Sequence, residues 1–285
     1  MSGKAARKRD RRGATHFEAK VGIALTWSLA PGEGHLTLEV AIDDAGADRR
    51  VRIGLDLPEV PSTSRAGLKW SEVERPCAPG HEHPADHHVA IDADEGGLAL
   101  FSPHPFAYEV VQGDHPRLAA TLLRAVGFLS RGDLLTRPGH PGPGTPTPEA
   151  QCRGPHAWRF AIRPFAADGR DGVFAEAMAW RQEAVTGLIH GYDPALVDTP
   201  APAIAVVEGP AIVQACKRSH DRTRTVIRLL NPTPKPCRAV LAVPGIASLV
   251  PLGFDELPRA EPLAGNGRFT VELPPWGLAT LACGG

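Results

Sequence analysis

The chain of 285 residues has a formal net charge of −1, with 31 Lys and Arg against 32 Asp and Glu. This balance argues against a dedicated nucleic-acid or membrane-surface protein, which usually has a basic excess. No apolar run reaches the roughly 18 residues that a membrane-spanning helix needs. The 30 Gly and 29 Pro predict many turns between short elements and favour an all-β protein.

The cysteines and the N-terminus indicate a cytoplasmic protein. The five cysteines, an odd number without a C-x-x-C pair, predict free thiols in a reducing compartment. Residues 1–13 hold six Lys or Arg and predict a disordered basic tail. The alternative is an arm that binds nucleic acid, but the rest of the chain has no basic excess to support it. No apolar segment follows the tail, so it is not a secretory signal.

From Thr15 to Leu57, apolar residues recur at every second position, which predicts strands buried on one face. One run is Leu36, Leu38, Val40 and Ile42, and the next is Val51, Ile53, Leu55 and Leu57. Residues 43–48 (DDAGAD) have turn chemistry, so the two runs predict a hairpin. Trp27 and Leu29 indicate an earlier strand of the same sheet.

Residues 58–88 have no clear period and predict an irregular segment. It contains four imidazoles, at His81, His83, His87 and His88. Such a density allows metal binding. However, Pro84 interrupts any helix that would align the imidazoles, and no cysteine completes a zinc spacing, so the sequence favours a solvated polar loop.

The next elements are mostly strands. Residues 89–101 predict a hairpin with its turn at 94–97. Residues 118–129 fit either a helix or a fully buried strand, with a slight preference for the strand. Trp158, Phe160 and Ile162 predict another strand. Residues 171–187 predict one amphipathic helix, with Gly187 as its C-cap.

After a Pro-rich connector at 196–210, short strands follow at 212–216, 225–230, 239–243 and 269–273. Turns every 8–15 residues are typical of an antiparallel sandwich. We therefore predict a β-sandwich domain over 14–195 and a smaller one over 211–285. The sequence contains no dinucleotide-binding, Walker, nucleophile-elbow or H-E-x-x-H motif.

The segment SRGDLLTRPGH (130–140) is the best candidate for a site. It brings Arg131, Asp133, Arg137 and His140 to the start of a Pro-rich loop, and the prolines lower the entropy lost when the loop is ordered. Such a loop suits Arg contacts to a sugar hydroxyl or to a carboxylate. The alternative is an Arg–Asp surface pair that only fixes the loop.

Glycoside hydrolysis would need two carboxyl groups flanking one bond. The candidates are Asp92, Asp94, Glu95, Asp114, Asp133 and Glu149. Each lies at or near a predicted turn, where a solvated carboxylate is the ordinary case. The sequence offers no means of pairing them, so we predict no catalytic residue in this chain.

Several stretches resemble the C-terminal β domain of glycoside hydrolase family 38, the α-mannosidases. They are GGLALFSPHPFAYEV (96–110), LLRAVGFLSRGDLLTR (122–137), PTPEAQCRGPHAWRFAIRP (146–164), VIRLLNPT (226–233) and FTVELPPWGLATL (269–281). The resemblance implies a large β-supersandwich followed by a smaller β-sandwich, with residues 118–129 as a strand. It also implies that the loop after that strand lies near an active-site rim, with Arg137 beside Asp133 and His140.

In this family an Asp nucleophile and a divalent metal, usually zinc, lie in an N-terminal α/β barrel that this sequence lacks. The resemblance therefore implies a chain with no metal or other cofactor of its own. Such a chain is inactive alone and completes the rim of a separate catalytic barrel chain that binds carbohydrate. It is equally possible that the chain is the remnant of a truncated gene. The strand faces that normally dock on the barrel would then be exposed and would favour a homo-oligomer.

The alternative function, from another class, is a stand-alone carbohydrate-binding or scaffolding module. It would need aromatic side chains on an exposed sheet face, and the candidates are Trp70, Trp158, Trp180 and Trp276.

Overall fold

The computed structural model describes residues 8–9, 15–16, 21–134, 137–139, 141–182 and 204–284. The chain divides into two compact units, Met1–Ala66 with Glu74–Asp168 and Gly67–Val73 with Gly169–Gly285. About half of the described residues (49%) lie in antiparallel strands, and the part of the chain that the structure describes has one α-helix. The predicted all-β class is thus confirmed. None of the described helices has the length and apolarity required to cross a membrane.

The first fifteen strands run through residue 166. They are β1 (Lys8–Arg9), β2 (Thr15–His16), β3 (Ile23–Ser28), β4 (Leu36–Ile42), β5 (Arg50–Asp56), β6 (Thr63–Gly67), β7 (Glu72–Pro76), β8 (His83–Ala85), β9 (His88–Ala93), β10 (Gly96–Phe101), β11 (Phe106–Val111), β12 (Arg117–Arg124), β13 (Asp133–Leu134), β14 (Arg137–Pro138) and β15 (His156–Ala166). A short 3₁₀ helix, Pro148–Gln151, precedes β15.

Two sheets form the first sandwich. The larger has the order β3-β4-β15-β10-β9-β6-β7, and the smaller has the order β5-β12-β11-β8. Side chains meet between them: the hydroxyls of Ser64 and Tyr108, both buried, lie 2.9 Å apart, and the rings of Phe106 and Phe160 meet edge to face. Burial raises the pKa of Tyr108, so this phenol stays protonated and keeps its hydrogen bond.

The prediction that β4 and β5 form a hairpin is wrong. Strand β4 pairs with β3 and β15 in the larger sheet, whereas β5 pairs with β12 in the smaller one. The intervening segment does turn, with Asp44 accepting a hydrogen bond from the Gly46 amide (2.8 Å). Turn residues predict a change of direction but not which sheet the next strand joins, and one-sided burial suits both arrangements.

The prediction that residues 58–88 are irregular is also wrong, because this segment contains β6, β7 and β8. His87 and His88 are fully buried, with their Nδ1 atoms 2.8 Å apart, and therefore do not belong to a solvated loop. The other strand predictions hold. Strands β9 and β10 form the predicted hairpin, β12 covers the ambiguous run as far as Arg124, and β15 covers the run around Phe160.

The second unit holds the helix and the last eight strands. A 3₁₀ turn, Ala167–Gly172, leads into α1 (Val173–Arg181), which ends before the predicted C-cap Gly187, a residue outside the described part. The strands are β16 (Ala205–Glu208), β17 (Ile212–Arg218), β18 (Thr225–Leu230), β19 (Cys237–Ala242), β20 (Ser248–Leu252), β21 (Leu263–Ala264), β22 (Arg268–Leu273) and β23 (Leu278–Cys283). Strand β16 lies within the predicted connector.

These strands form a three-stranded sheet, β16-β19-β22, and a five-stranded sheet, β17-β18-β23-β20-β21. Alternating residues of both sheets build one apolar core, with Ile227, Leu241, Leu249 and Phe269 among its buried members. The helix packs Phe174 and Met178 against Leu230. The smaller C-terminal sandwich is thus confirmed.

The turn between β17 and β18 depends on an ionised carboxylate. Asp221 Oδ1 accepts hydrogen bonds from the Ser219 hydroxyl (2.5 Å), the Thr223 amide (3.0 Å) and the Thr223 hydroxyl (2.8 Å). These bonds, led by that of Ser219, lower the pKa of Asp221 from its ordinary 3.8 to about 2. A depressed folded-state pKa stabilises the protein above the unfolded-state value, and this stabilisation is lost as the pH falls through the folded-state value.

We therefore expect the charge of Asp221 to stabilise the second unit at neutral pH and to lose this effect between about pH 4 and pH 2. Thermal unfolding of the wild type and of Asp221→Asn, which keeps an acceptor oxygen without the titration, tests this expectation. The difference in melting temperature between the two should be constant above about pH 5 and should narrow towards pH 2. A difference that stays unchanged down to pH 2 would contradict it.

Candidate functional site

A groove of about 780 Å³, lined by both charged and apolar residues, opens on the first unit beside the segment that follows β12. Its walls come from the start of β5, from the end of β12, from Glu82 and Glu109, and from residues 125–131. This segment belongs to LLRAVGFLSRGDLLTR, the stretch that also contains three of the four predicted site residues, Arg131, Asp133 and Arg137. The groove is therefore the candidate site that the structure places nearest to the prediction.

Backbone hydrogen bonds fix this wall of the groove. The amides of Val126 and Leu129 donate to the carbonyls of Ala150 (3.0 Å) and Thr145 (2.9 Å), and Thr147 donates back to Gly127 (2.9 Å). Because the 145–150 side carries prolines, its conformational freedom is already low. Segment 125–129 is thus hydrogen-bonded to segment 145–150, and this pairing lies outside the two sheets.

Gly127 sits where the wall contacts the crossover from β4. A Cβ there would lie 2.8 Å from Gln151 Nε2 and 3.0 Å from Asp48 Oδ1. These two side chains bind each other, since Gln151 accepts from the Asp48 amide (2.7 Å) and donates to its carboxylate (3.0 Å). The glycine therefore leaves room for this pair, of which Asp48 lines the groove.

Glu82 connects the charged residues of the groove. It forms ion pairs with Arg50 (3.4 Å) and with Arg124, and it accepts a hydrogen bond from the Thr121 hydroxyl (2.6 Å). Burial opposes its ionisation, but the Thr121 hydrogen bond and the charges of Arg124, Arg50 and Arg52 outweigh burial and lower the pKa of Glu82. A second pair, Arg52 with Glu109 (2.5 Å), lies beside it.

This electrostatic environment limits the possible chemistry. A glycosidase acid needs a raised pKa so that it still holds its proton at neutral pH. The pKa of Glu82 is lowered instead, so Glu82 is an ionised acceptor and not a proton donor. Glu82 is therefore suited to accepting hydrogen bonds from hydroxyl groups and not to acting as a general acid.

Ser130 adds a polar atom for which the described residues provide no hydrogen-bond partner. Its side chain is only 7% exposed, and within the described part of the chain no group forms a hydrogen bond with its Oγ. Because an unsatisfied buried hydroxyl costs free energy, such an atom is a candidate for contact with a ligand. The exposed side chains of Phe128 and Leu129 lie on the same wall and give the groove an apolar portion.

Of the predicted site residues, the structure places Arg131 on the groove, where it is half-buried. Asp133 and Arg137 lie in the β13–β14 hairpin, with Asp133 opposite Pro138 and Leu134 opposite Arg137. The side chains of Asp133 and Arg137, and the whole of His140, lie outside the described part. Their role at the rim stays a prediction.

The sequence did not point to Glu82, Arg50 or Arg124, because three distant segments supply them. Two arginines on the polar face of β5 were the available signal, since nearby carboxylates relieve the repulsion between neighbouring charges of one sign. Among the other predicted carboxylates, Asp92 is bound by Arg65 (2.8 and 3.0 Å). Within the described ranges, no three His, Cys, Asp or Glu side chains are grouped as metal ligands.

The four candidate tryptophans, Trp70, Trp158, Trp180 and Trp276, do not line an exposed sheet face. Trp158 lies on the inner face of β15 and stacks on His156, with ring centroids 5.6 Å apart. Trp276 packs on Phe174 (5.2 Å) beneath α1, and Trp70 joins the same cluster in the second unit. Trp180 lies on α1 and is half-buried. Each therefore contributes to packing and not to a platform on a sheet.

The fold of this chain is similar to part of two solved structures. The chain is similar to a protein in glycosyl hydrolase family 38 from Enterococcus faecalis, with a TM-score of 0.69 and 22% identity over 92% of this chain. It is also similar to an alpha-mannosidase from Enterococcus faecalis V583, with a TM-score of 0.70 and 21% identity over 96% of this chain. No protein-family model and no curated protein matches the sequence.

This chain spans 30% of the length of each of those two proteins. The predicted resemblance to family 38 is thus confirmed at the level of the fold, and the coverage is consistent with a C-terminal portion.

Proposed function

We propose that this chain is the β-sandwich portion of an α-mannosidase-like glycoside hydrolase. In this proposal it contributes a polar rim to an active site that a separate catalytic domain carries, and it hydrolyses no α-mannoside alone. The observation that carries the proposal is the groove beside residues 125–131, on the same segment whose sequence resembles the rim-forming part of family 38. Zinc, or another divalent metal, would be bound by the catalytic domain.

The charges of the groove support a role in binding. Arginines present planar donors to the hydroxyls of a sugar, and the ionised Glu82 accepts from them. Phe128, which is 44% exposed, offers an apolar face to the C–H side of a sugar ring. The lowered pKa of Glu82 agrees with a chain that binds substrate and leaves proton transfer to its partner.

The test is hydrolysis of 4-nitrophenyl α-mannoside with zinc or cobalt, by the purified chain alone and mixed with a separately expressed family 38 catalytic barrel. We expect no activity alone and measurable activity in the mixture. Arg131→Ala and Arg137→Ala should each lower the activity of the mixture by about tenfold or more, because each removes a charged donor at the rim. Arg259→Ala, in the second unit, is the matched control and should have no effect.

Hydrolysis by the chain alone would contradict the absence of a catalytic set. A mixture as inactive as its components would contradict the completion of a rim. The alternative function is a carbohydrate-binding module without an enzymatic role, which the Ser130 hydroxyl favours because no described residue forms a hydrogen bond with it. Binding of methyl α-mannoside by the chain alone, lost in Ser130→Ala, together with an inactive mixture, would support this alternative.

The proposal places the chain in the cytoplasm. All five cysteines are free, and free thiols persist in a reducing compartment.

A further inference from the structure

The segment that follows β12 presents three exposed apolar side chains to the groove. Val126, Phe128 and Leu129 are 39%, 44% and 66% exposed, and all three line the groove. Ala125 and Ser130, at the two ends of this stretch, are buried. A contiguous exposed apolar surface with polar residues beside it marks a place where a ligand or a partner binds.

This apolar wall is fixed before any ligand binds. In addition to the backbone hydrogen bonds with residues 145–150, the Thr147 hydroxyl donates to the Val126 carbonyl (3.2 Å), and Phe128 pairs with Pro146 as an isolated antiparallel bridge. Backbone atoms of the segment make these contacts, and its apolar side chains stay exposed. A preformed wall loses little conformational entropy when a ligand is bound.

The remainder of the groove is charged. Glu82 lines it with its ion-pair partners Arg50 and Arg124, and Glu109, the partner of Arg52, lines it as well. A groove with a charged part and an apolar part suits a ligand that carries both hydroxyl groups and hydrocarbon. The volume of about 780 Å³ lies within the range of roughly 300–1,000 Å³ for sites that hold drug-sized molecules, which are larger than one monosaccharide ring.

We propose that the groove binds the aglycone, the leaving group of an α-mannoside, and that Leu129 and Val126 select glycosides whose aglycone is an alkyl or aryl group. This inference rests on the proposed function and adds the chemical class of the substrate. The hydrocarbon of the aglycone packs on Leu129 and Val126 and is thereby removed from water. The hydroxyls of the sugar donate to the ionised Glu82.

A protein partner fits the groove less well than a small ligand does. The cores of protein–protein interfaces are depleted of charged residues. A protein surface laid over this groove would bury Glu82, Arg50 and Arg124 together with the apolar wall. The mutual attraction of such ion pairs repays only part of the cost of removing them from water. A small ligand leaves the charged part of the groove in contact with water.

The chain itself does not supply a good cover for the apolar wall. Two longer stretches, residues 1–20 and residues 183–203, lie mostly or wholly outside the described part. The first contains Met1 and Phe17 as its only large apolar side chains. The second connects α1 to β16, and both of these elements belong to the second unit, whereas the groove lies in the first. The better occupant is therefore a molecule bound from solution.

The test uses the chain mixed with a separately expressed family 38 catalytic barrel. The measured quantity is the ratio of kcat/KM for hexyl α-mannoside to kcat/KM for methyl α-mannoside, which we expect to be about ten or more. Leu129→Thr should lower this ratio by about threefold or more, because it removes apolar surface that contacts the hexyl chain. Leu257→Thr, which changes a leucine that is 58% exposed in the second unit, should leave the ratio unchanged.

Melting temperatures show whether the variants are folded, and the near-isosteric Val126→Thr replaces Leu129→Thr if the latter unfolds. An active mixture whose ratio is about one, or whose ratio Leu129→Thr leaves unchanged, would overturn the inference but not the proposed function. An unchanged ratio with weaker assembly of Leu129→Thr and the barrel would overturn it in favour of docking on the barrel.

An inactive mixture would contradict the proposed function, and the inference is then tested by calorimetry on the chain alone. Hexyl α-mannoside should bind about tenfold more tightly than methyl α-mannoside, and Leu129→Thr should reduce this preference. Equal affinities of the wild-type chain for the two glycosides would overturn the inference.

Discussion

Gly96→Ala should lower the free energy of unfolding of the first unit by about 3 kcal/mol. A Cβ at this buried position would lie 2.2 Å from the carbonyl oxygen of Phe165 and 3.2 Å from the Cα of Ala166. Both atoms belong to the backbone of β15, which pairs with β10 in the register Gly96 to Ala166. Because a backbone cannot move aside as a flexible side chain can, two central strands of the larger sheet must separate.

Urea unfolding, with hydrogen exchange of the β10 amides to identify the unit that opens, measures this loss. Gly142→Ala is the matched control, since the nearest atom to its added Cβ is Ser130 Cβ at 3.8 Å and its stability should change little. If Gly96→Ala were as stable as the wild type, β10 and β15 would not be in the register described. The glycine pair of GGLALF therefore has a physical reason in this fold: close backbone approach.

The alternating pattern predicted the strands because burial on one face leaves a local signal of period two. It did not predict how strands combine into sheets. The run around Val40 and the run around Ile53 look alike in sequence, yet they belong to opposite sheets. Which sheet a strand joins depends on pairing with distant strands, such as β15 and β12, and no local pattern records that choice.

The same limit applies to the groove. Arg131 was predicted because it lies in a distinctive segment, whereas Glu82 was not, because its partners Arg50 and Arg124 lie 32 and 42 residues away. The buried pair of His87 and His88 gave a misleading signal. A cluster of histidines is polar in composition, but two imidazoles can satisfy each other inside a core.

Asn231→Ala should lower the free energy of unfolding of the second unit by about 2–4 kcal/mol. Asn231 is fully buried at the end of β18. Its Nδ2 donates to the carbonyls of Lys235 (2.7 Å) and Pro274 (2.8 Å), and its Oδ1 accepts from the Thr233 amide (3.1 Å) and hydroxyl (2.9 Å). One side chain thus joins the turn after β18 to the turn before β23, and alanine would leave these groups without their partner.

Two further variants separate hydrogen bonding from packing in the unfolding measurement. Asn231→Asp keeps the size of the side chain but turns a carboxylate towards two carbonyl oxygens, so at neutral pH it should destabilise at least as much as Asn231→Ala. Lys235→Ala should be neutral, since Lys235 contributes its backbone carbonyl. A loss below about 1 kcal/mol for both Asn231 variants would mean that water replaces the amide at no cost. A larger loss in both would identify Asn231 as the residue that fixes these two turns together.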